Sequence, residues 1–468
     1  MSMEADFIVG GSALAEPQYR PLSWQQQWLW SALQADPGWR CKVVYVFGMY
    51  GILDVPLLAR GVEEVIQRHD SLRARITTLD SLAVAYIQDS VNVPLDPLII
   101  TGGSAREREA NGRSWVETFG DQPIDPLRDP LLDVRLLEIG PHEHWLVLAL
   151  HRLIGDCASI DLLFQEIWAF YSAMACGQPL PFTRAATSYY DYASRQHETE
   201  ADWQKRHGPY WQKRLAQANP LEWPLDAAAC ATARDQLGRM NILLGEHLST
   251  ELRDLARRQR TLLANVALAV YVVALSRWCH QQDFVVPFFV AGRQSEHKAT
   301  IGYFSHALLL RVSLQPGQTL IGLLGQVANE FFGALSHQDF GRLARQMPEL
   351  LTGSFCQWVT WHSDSREGMT MAAPNGQEVP AVRRVTIKDY GEDLTALPPG
   401  RVAVEISFFD SGQGIYASGV YRADLFSGST MQRFMQTLRV TAEEFVREPN
   451  ALVASPWSLI CHEYDAHA

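Results

Sequence analysis

The chain has 468 residues, 47% of them hydrophobic and 20% charged, with a formal charge of −12 at neutral pH. A chain of this length is too large for one core to be the default, so two domains or lobes are expected. Its lysines and arginines are dispersed rather than striped, which excludes DNA and RNA, because phosphate binding needs clustered cations.

Taken in chain order, the start MSMEADFIVGGSALAEPQYR carries acids where a secretory signal has a basic flank and an apolar block. No apolar stretch in the sequence reaches membrane-spanning length. A soluble cytoplasmic protein is expected, with neither nucleic acid nor membrane as partner. PLSWQQQWLWSAL reads as a helix capped by Ser23, and VPLLARGVEEVIQRHDSLRARI reads as another, with Leu58, Val62, Val65, Ile66 and His69 on one face. A strand is expected at 73–77. After the turn-rich DQPIDPLRDPLL come two strands, LDVRLLEI and HWLVLALH, separated by the hairpin punctuation GPHE. The second strand delivers His151 and Arg152 at its end. SIDLLFQEIWAFYSAM then reads as a helix aligning Leu163, Ile167, Phe170, Tyr171 and Met174, with Ser159 at its start and Asp161 in its first turn. The polar cluster His151, Arg152 and Asp156 therefore belongs to a strand-to-helix junction.

CGQPLPFTR is the most Pro/Gly-rich passage in mid-chain and marks the expected boundary between a first lobe, residues 1–180, and a second, 181–468. A polar helical region rich in Tyr, Trp and Arg follows. The second half repeats the grammar without repeating the sequence. TLLANVALAVYVVALSRW is a long apolar helix, DFVVPFFVAGR a buried strand ending at Arg293, and HALLLRVSL a further strand. SFCQWVTW, RVAVEISFF and GIYASGVY read as strands of the same lobe, and SGSTMQRFMQTLRVTAEEFVR as a closing amphipathic helix. Mixed elements in two comparable halves fit a two-lobed α/β protein. The seven cysteines lie scattered, without a CxxC pair or a Cys/His spacing suited to zinc, so reduced thiols and no metal site are expected. GxxxxGK[ST], HExxH and GxSxG are absent, which leaves phosphate-loop, zincin and serine-hydrolase chemistry without sequence support.

A polar strand end needs no function, so HRxxxD by itself carries little weight. The rest of the chain changes that. PLSWQQQWLW is similar to LSxxQxxxW, RHDSLRARI to RHExLRTxF, and HRLIGDCAS to HHxxxDGxS. VAGRQSEHKATIGYFSHALLLR resembles AGR followed by GFFVNTLxLR, and GVYRADLF resembles LEYxTDLF. These are, in order and over nearly the whole length, the motifs of the condensation domains of nonribosomal peptide synthetases. The resemblance implies two chloramphenicol-acetyltransferase-like lobes in a V-shaped pseudo-dimer, with the HHxxxDG site on a tunnel between them. It also implies an acyl or peptidyl carrier protein as partner, presenting an acyl thioester on its phosphopantetheine arm to an acceptor, and no bound cofactor. Residue by residue, Asp156 is structural and pairs with Arg293, Ser159 keeps its place, and His151 is the first, structural histidine of the motif. VGGSAL resembles a pantetheine-attachment serine, but too few residues precede Ser12 for the helix such a site requires. KDYGED at 388–393 shares only Asp389 and Gly391 with the DFGWG segment of plant acyltransferases of this fold and reads as a surface loop.

Three substitutions depart from the pattern. Arg152 stands where the family has its catalytic histidine, Cys157 replaces the glycine, and His306 replaces an asparagine. Arginine stays protonated in proteins and cannot serve as a general base. Losing such a base costs roughly 10²–10⁴ in rate. A substrate α-amine with a pKa near ~8 is partly neutral at cellular pH, however, and Arg152 can donate hydrogen bonds to a developing oxyanion. The candidate catalytic set is Arg152, His151 and His306, the last as a replacement base from the second lobe. A free-standing acyltransferase forming an amide, less readily an ester, with a small-molecule amine acceptor is the first expectation. A recruitment module is the second, because HRxxxDD marks the X domains of glycopeptide synthetases, which dock cytochrome P450 tailoring enzymes. A condensation-fold catalyst of another reaction, such as cyclisation of a tethered intermediate, is the third.

Overall fold

The computed structural model describes residues 19–35, 41–182, 185–219, 221–226, 237–338, 357–363, 380–385, 403–411 and 414–453. Ser12, Asp389 and Gly391 lie outside them. The first short strand, β1 (Tyr19–Pro21), leads into α1 (Trp24–Ala35). Ser23 and Gln26 form a reciprocal capping box there, with Gln26 N donating to Ser23 Oγ at 3.1 Å and Ser23 N donating to Gln26 Oε1 at 2.8 Å. After β2 (Lys42–Tyr50), Asp54 caps α2 (Val55–Arg68), whose buried stripe is Leu58, Gly61, Val62, Val65 and Ile66. The hairpin β3 (Ala74–Leu79) and β4 (Leu82–Ile87) pairs antiparallel and turns at Asp80 and Ser81, both at positive φ. Then come β5 (Pro97–Ile99), α3 (Ala105–Asp121), β6 (Leu132–Gly140) and β7 (Glu143–His151).

β2, β7, β6 and β5 form a sheet whose far edge, beyond β2, is a strand from the second half of the chain, β12 (Ala381–Arg384). In β7, Trp145 to Leu150 are at most 1% exposed. One face packs on α2 and α4 (Cys157–Ala175), and the other, through Trp145, Val147 and Ala149, packs with Val116 and Phe119 of α3. A strand covered on both faces reads as a continuous apolar run rather than an alternation, which is the pattern of HWLVLALH.

α5 (Tyr189–Glu198) and α6 (Glu200–Leu215) lead to the second sheet, β8 (Leu237–Leu243), β9 (Asp283–Val290), β10 (His306–Ser313), β11 (Gln357–Ser363), β13 (Val404–Ser411) and β14 (Gly414–Arg422), in the order β10-β9-β11-β13-β14-β8. β9 accommodates Pro287 because its described pairing with β11 is confined to Phe288 and Phe289. Behind this sheet lie α7 (Glu246–Arg258), α8 (Leu263–Cys279), α9 (Leu320–Ser336) and α10 (Gly428–Arg447). α8 is buried continuously from Asn265 to Leu275, as a helix apolar on every side must be. No single helix among the described residues is both long and apolar enough to cross a membrane.

The sheet of β2, β7, β6 and β5 is packed on both faces and the six-stranded sheet against its helices, but the division does not follow the chain. Tyr189, Tyr190 and Ala193 of α5 and Ile301, Tyr303 and Phe304 from the loop before β10 pack in the first core. β12 (Ala381–Arg384) pairs antiparallel with β2 along the edge of the first sheet. The described parts thus form a mixed α/β structure in which the second half reaches into the first at two places.

Candidate functional site

β7 ends at His151, whose N–H donates to Leu131 O at 2.8 Å, and Arg152 N donates to Cys41 O at 2.9 Å. The turn that follows is supported from α1, where Gln26 Nε2 donates to Leu153 O. The next helix starts earlier than its sequence indicates. Ser159 is not its cap: Asp156 is, accepting from Ser159 N at 3.0 Å, so the helix opens at Cys157 and Ser159 falls in its first turn. This shift places the Asp156 carboxylate at the positive end of the helix dipole.

Asp156 is fully buried and collects donors from both halves of the chain. Arg293 reaches it bidentately, Nη1 to Oδ2 at 2.8 Å and Nη2 to Oδ1 at 2.7 Å, with the arginine side chain 9% exposed. Oδ2 also accepts from Phe304 N, Ser305 N and Ser305 Oγ at 3.0–3.2 Å. Ser159 Oγ takes the N–H of Gly302 at 3.0 Å and lies 2.8 Å from Gly302 O. The result is a clamp that fastens the loop 302–305 to the N-terminus of α4. Burial by itself would raise the Asp156 carboxyl, but the Arg293 charge and the hydrogen bonds from Arg293 and Ser159 outweigh it and hold the group below the usual carboxylate range. The Arg293 guanidinium also lies over the Phe304 ring, 4.8 Å from its centre.

His151 is completely buried, and its Nδ1 accepts from Leu153 N at 3.2 Å, which puts the ring proton on Nε2. Burial, then the neighbouring charges of Arg152 and Lys42, push its pKa down to about 3, so it is a neutral imidazole throughout the physiological range. Arg152, half-buried, is the stronger-acting of the two cations at this strand end. Its charge acts on His151, on the thiol of Cys41 and on the phenol of Tyr303. Burial nevertheless pushes Cys41 up to about 12, so that thiol is no nucleophile. A guanidinium here can donate hydrogen bonds and stabilise negative charge, and it cannot take up a proton. Cys157 is half-buried as the first residue of α4.

His306 opens β10 and is 4% exposed. Its Nδ1 donates to Phe304 O at 3.0 Å, which leaves the Nε2 lone pair free to accept. Burial lowers its pKa against the opposing pull of Phe304 O and the Gln338 amide. It lines a cavity of about 390 Å³ whose walls include Tyr192, Trp203, Gly292 and His297, but neither His151 nor Arg152. Of the residues singled out in the sequence, Asp156, Ser159 and Arg293 are therefore in one hydrogen-bonded group, with His151 and Arg152 on the adjoining strand end. His306 joins them through its chain neighbour Ser305 and through Phe304, whose carbonyl accepts from His306 and whose N–H donates to Asp156.

Sequence reasoning passed over three supports. Besides Gln26 there is His69, whose Nε2 donates to Glu166 of α4 at 2.9 Å while Nδ1 receives Ile301 N at 3.4 Å. Tyr189 donates its hydroxyl to Tyr303 O at 2.7 Å. Gln26 and His69 each sit inside a recognisable segment, PLSWQQQWLW and RHDSLRARI, so their signal was present as position without chemistry.

Comparison with known proteins accords with this geometry. A family model described as the condensation domain matches residues 17–367. A linear gramicidin synthase polypeptide of Brevibacillus parabrevis is 28% identical over 457 residues, which cover 95% of this chain and 8% of that protein. The chain thus spans less than a tenth of the length of that relative. Among solved structures, the X-domain in the complex of the X-domain and OxyB from teicoplanin biosynthesis superposes with a TM-score of 0.77 at 20% identity, covering 95% of this chain and 96% of that one. The condensation domain of the monacolin K polyketide synthase MokA superposes with a TM-score of 0.78 at 16% identity, covering 93% and 99%. The family model spans most of the chain: the chain belongs to the condensation-domain family.

Proposed function

We propose that the protein is a condensation-type acyltransferase that forms an amide, less readily an ester, from an acyl thioester held on the phosphopantetheine arm of a carrier protein. The observation that carries this reading is the intact Asp156–Arg293–Ser159 clamp beside a strand end where a cation, Arg152, has replaced a base. Positioning survives and proton abstraction does not. The amine nitrogen attacks the thioester carbonyl, the C–N bond forms as the C–S bond breaks, and the nitrogen's proton leaves with the thiol. Arg152 contributes by donating to the carbonyl oxygen as it gains charge, and an amine that is already neutral needs no base before attack.

The test is intact-mass analysis of a holo carrier protein charged with candidate acyl groups and incubated with the protein and an amine. Loss of the acyl group with a matching amide product is expected. Arg152→Ala should lower turnover by about 10²-fold, the size of effect for one oxyanion donor, while leaving carrier binding intact. Arg152→His should raise the rate, most clearly below pH 7, where little acceptor amine is unprotonated and a base helps most.

A second reading draws on the same Arg152. The arginine after the first histidine is also the X-domain pattern, and the teicoplanin X-domain is known in complex with OxyB. As a recruitment module the protein would turn over no donor, and Arg152→Ala would alter only stability or the binding of a tailoring enzyme. Absence of product with every donor, together with retained binding of such an enzyme, would replace the acyltransferase reading by this one.

A further inference from the structure

The cavity at His306 is built as a binding site. Gly292, at φ +64°, makes room for it: a Cβ there would lie 2.2 Å from Phe304 O and 2.6 Å from His306 Nδ1. The imidazole is therefore seated directly on a glycine backbone. His306 Nε2 is buried and makes no well-formed hydrogen bond among the described residues, with the Gln338 side-chain amide near the ring, and Nδ1 of His297, which is 5% exposed, has no hydrogen-bond partner among them. Buried polar atoms left under-satisfied are costly, so two on the wall of one cavity point to a ligand that satisfies them.

The chemistry of that ligand follows from the walls. Tyr192 and Trp203 supply flat aromatic surface, and Tyr192 and His297 meet edge to face at 5.1 Å between ring centres. Burial lowers both His297 and His306, so the floor is uncharged. Among the described residues the carboxylates on the cavity are Asp202 and Glu296, exposed at its rim together with Arg195 and Arg206. An ammonium ion brought to the floor would lose its hydration without meeting a counter-charge. An engineered apolar cavity of roughly 150 Å³ holds benzene, so about 390 Å³ accommodates a substituted ring.

We propose that this cavity binds a small, uncharged, planar hydrogen-bond donor whose N–H is accepted by His306 Nε2. Such a ligand is a weakly basic aryl amine rather than an alkyl amine: it is neutral at cellular pH, suits this uncharged floor, and is held apart from Arg152, which does not line the cavity. Ser305, which precedes His306, ties the floor to the Asp156 clamp by donating to it through both N and Oγ.

Binding is tested on the full-length protein without any acyl donor, so the outcome does not depend on turnover. Titration calorimetry with 3-aminobenzamide, uncharged at neutral pH, is compared with cyclohexylamine, a charged ring of similar size. At least tenfold tighter binding of the aryl amine is expected, lost by tenfold or more in His306→Phe. On the wild-type protein, ¹⁵N-histidine NMR should show the His306 Nε2 resonance moving on addition of 3-aminobenzamide; this keeps the test valid if the variant fails to fold. Equal binding of the two amines, no binding of either, or an unmoved His306 resonance overturns the inference. Binding as expected without turnover of any thioester upholds the cavity assignment and removes the acyltransferase reading.

Discussion

Asp156 combines full burial with ionisation, and its consequences are measurable on single residues. Breaking a buried ion pair on one side leaves an uncompensated charge and costs about 3–5 kcal/mol. Asp156→Asn should therefore lower the melting temperature sharply in calorimetry, and the double variant with Arg293→Met should recover part of the loss, because the stranded cation is gone. The carboxyl titrates below its ordinary value of 3.8 in the folded state. Its stabilisation is thus complete at about pH 5 and above and disappears as pH falls through the depressed value. The stability gap between wild type and Asp156→Asn should persist at pH 5 and narrow below pH 3.8. His151 is depressed as well, to about 3 from 6.5. The unfolded chain takes up this proton first on acidification, so His151 lowers stability as pH falls from 6.5 towards 3. In His151→Gln the slope of unfolding free energy against pH in that window should be shallower by up to about 1.4 kcal/mol per pH unit.

Among the elements, the loop 301–305 is the piece through which the second half of the chain completes the first core. It is held by α4 through Asp156 and Ser159 and by α5 through Tyr189, whose ring stands edge-on to Phe304 at 5.0 Å. A Cβ on Gly302 would fall 2.0 Å from the Tyr189 ring. That ring is fixed by its hydroxyl bonds to Ser23 Oγ and Tyr303 O, so it has nowhere to move. Gly302→Ala should cost roughly 1–3 kcal/mol as overpacking, read as a lower denaturation midpoint. Sequence made the apolar elements plain. α2, α8, β7 and β10 follow from their periodicity or length of apolar run, and the Asp156–Arg293 pairing was legible through the resemblance to family motifs. α3 escaped notice because its composition is polar, although Ser104 and Glu107 carry a capping signal: Ser104 Oγ accepts from Glu107 N at 3.2 Å. The start of α4 was displaced from Cys157 to Ser159 because two cap-forming side chains, Asp156 and Ser159, stand three residues apart. Local preference alone does not rank them; Arg293, 137 residues away, anchors the first as the cap.

At the scale of the molecule, one loop and one strand from the second half of the chain pack in the core of the first sheet. The clamp and β12 both cross from the second half to the first, so the cores should unfold as one cooperative unit. Calorimetry of the wild type should show a single transition, and deleting residues 380–385 together with Asp156→Asn should split it in two. Two transitions in the wild type would show that these crossings do not couple the cores. The β12–β2 pairing also bears on synthesis. β2 begins at residue 42, yet the neighbour that covers its outer edge ends at residue 384. While the ribosome makes the intervening residues, the nascent first sheet exposes an unpaired edge along Phe47–Tyr50, the stretch that β12 pairs, in which Phe47 and Met49 are core residues. Such edges recruit other strands. The period before β12 emerges is when this chain is most open to aggregation and to chaperone binding, and slowing translation between β2 and β12 should lower soluble yield more than slowing it afterwards.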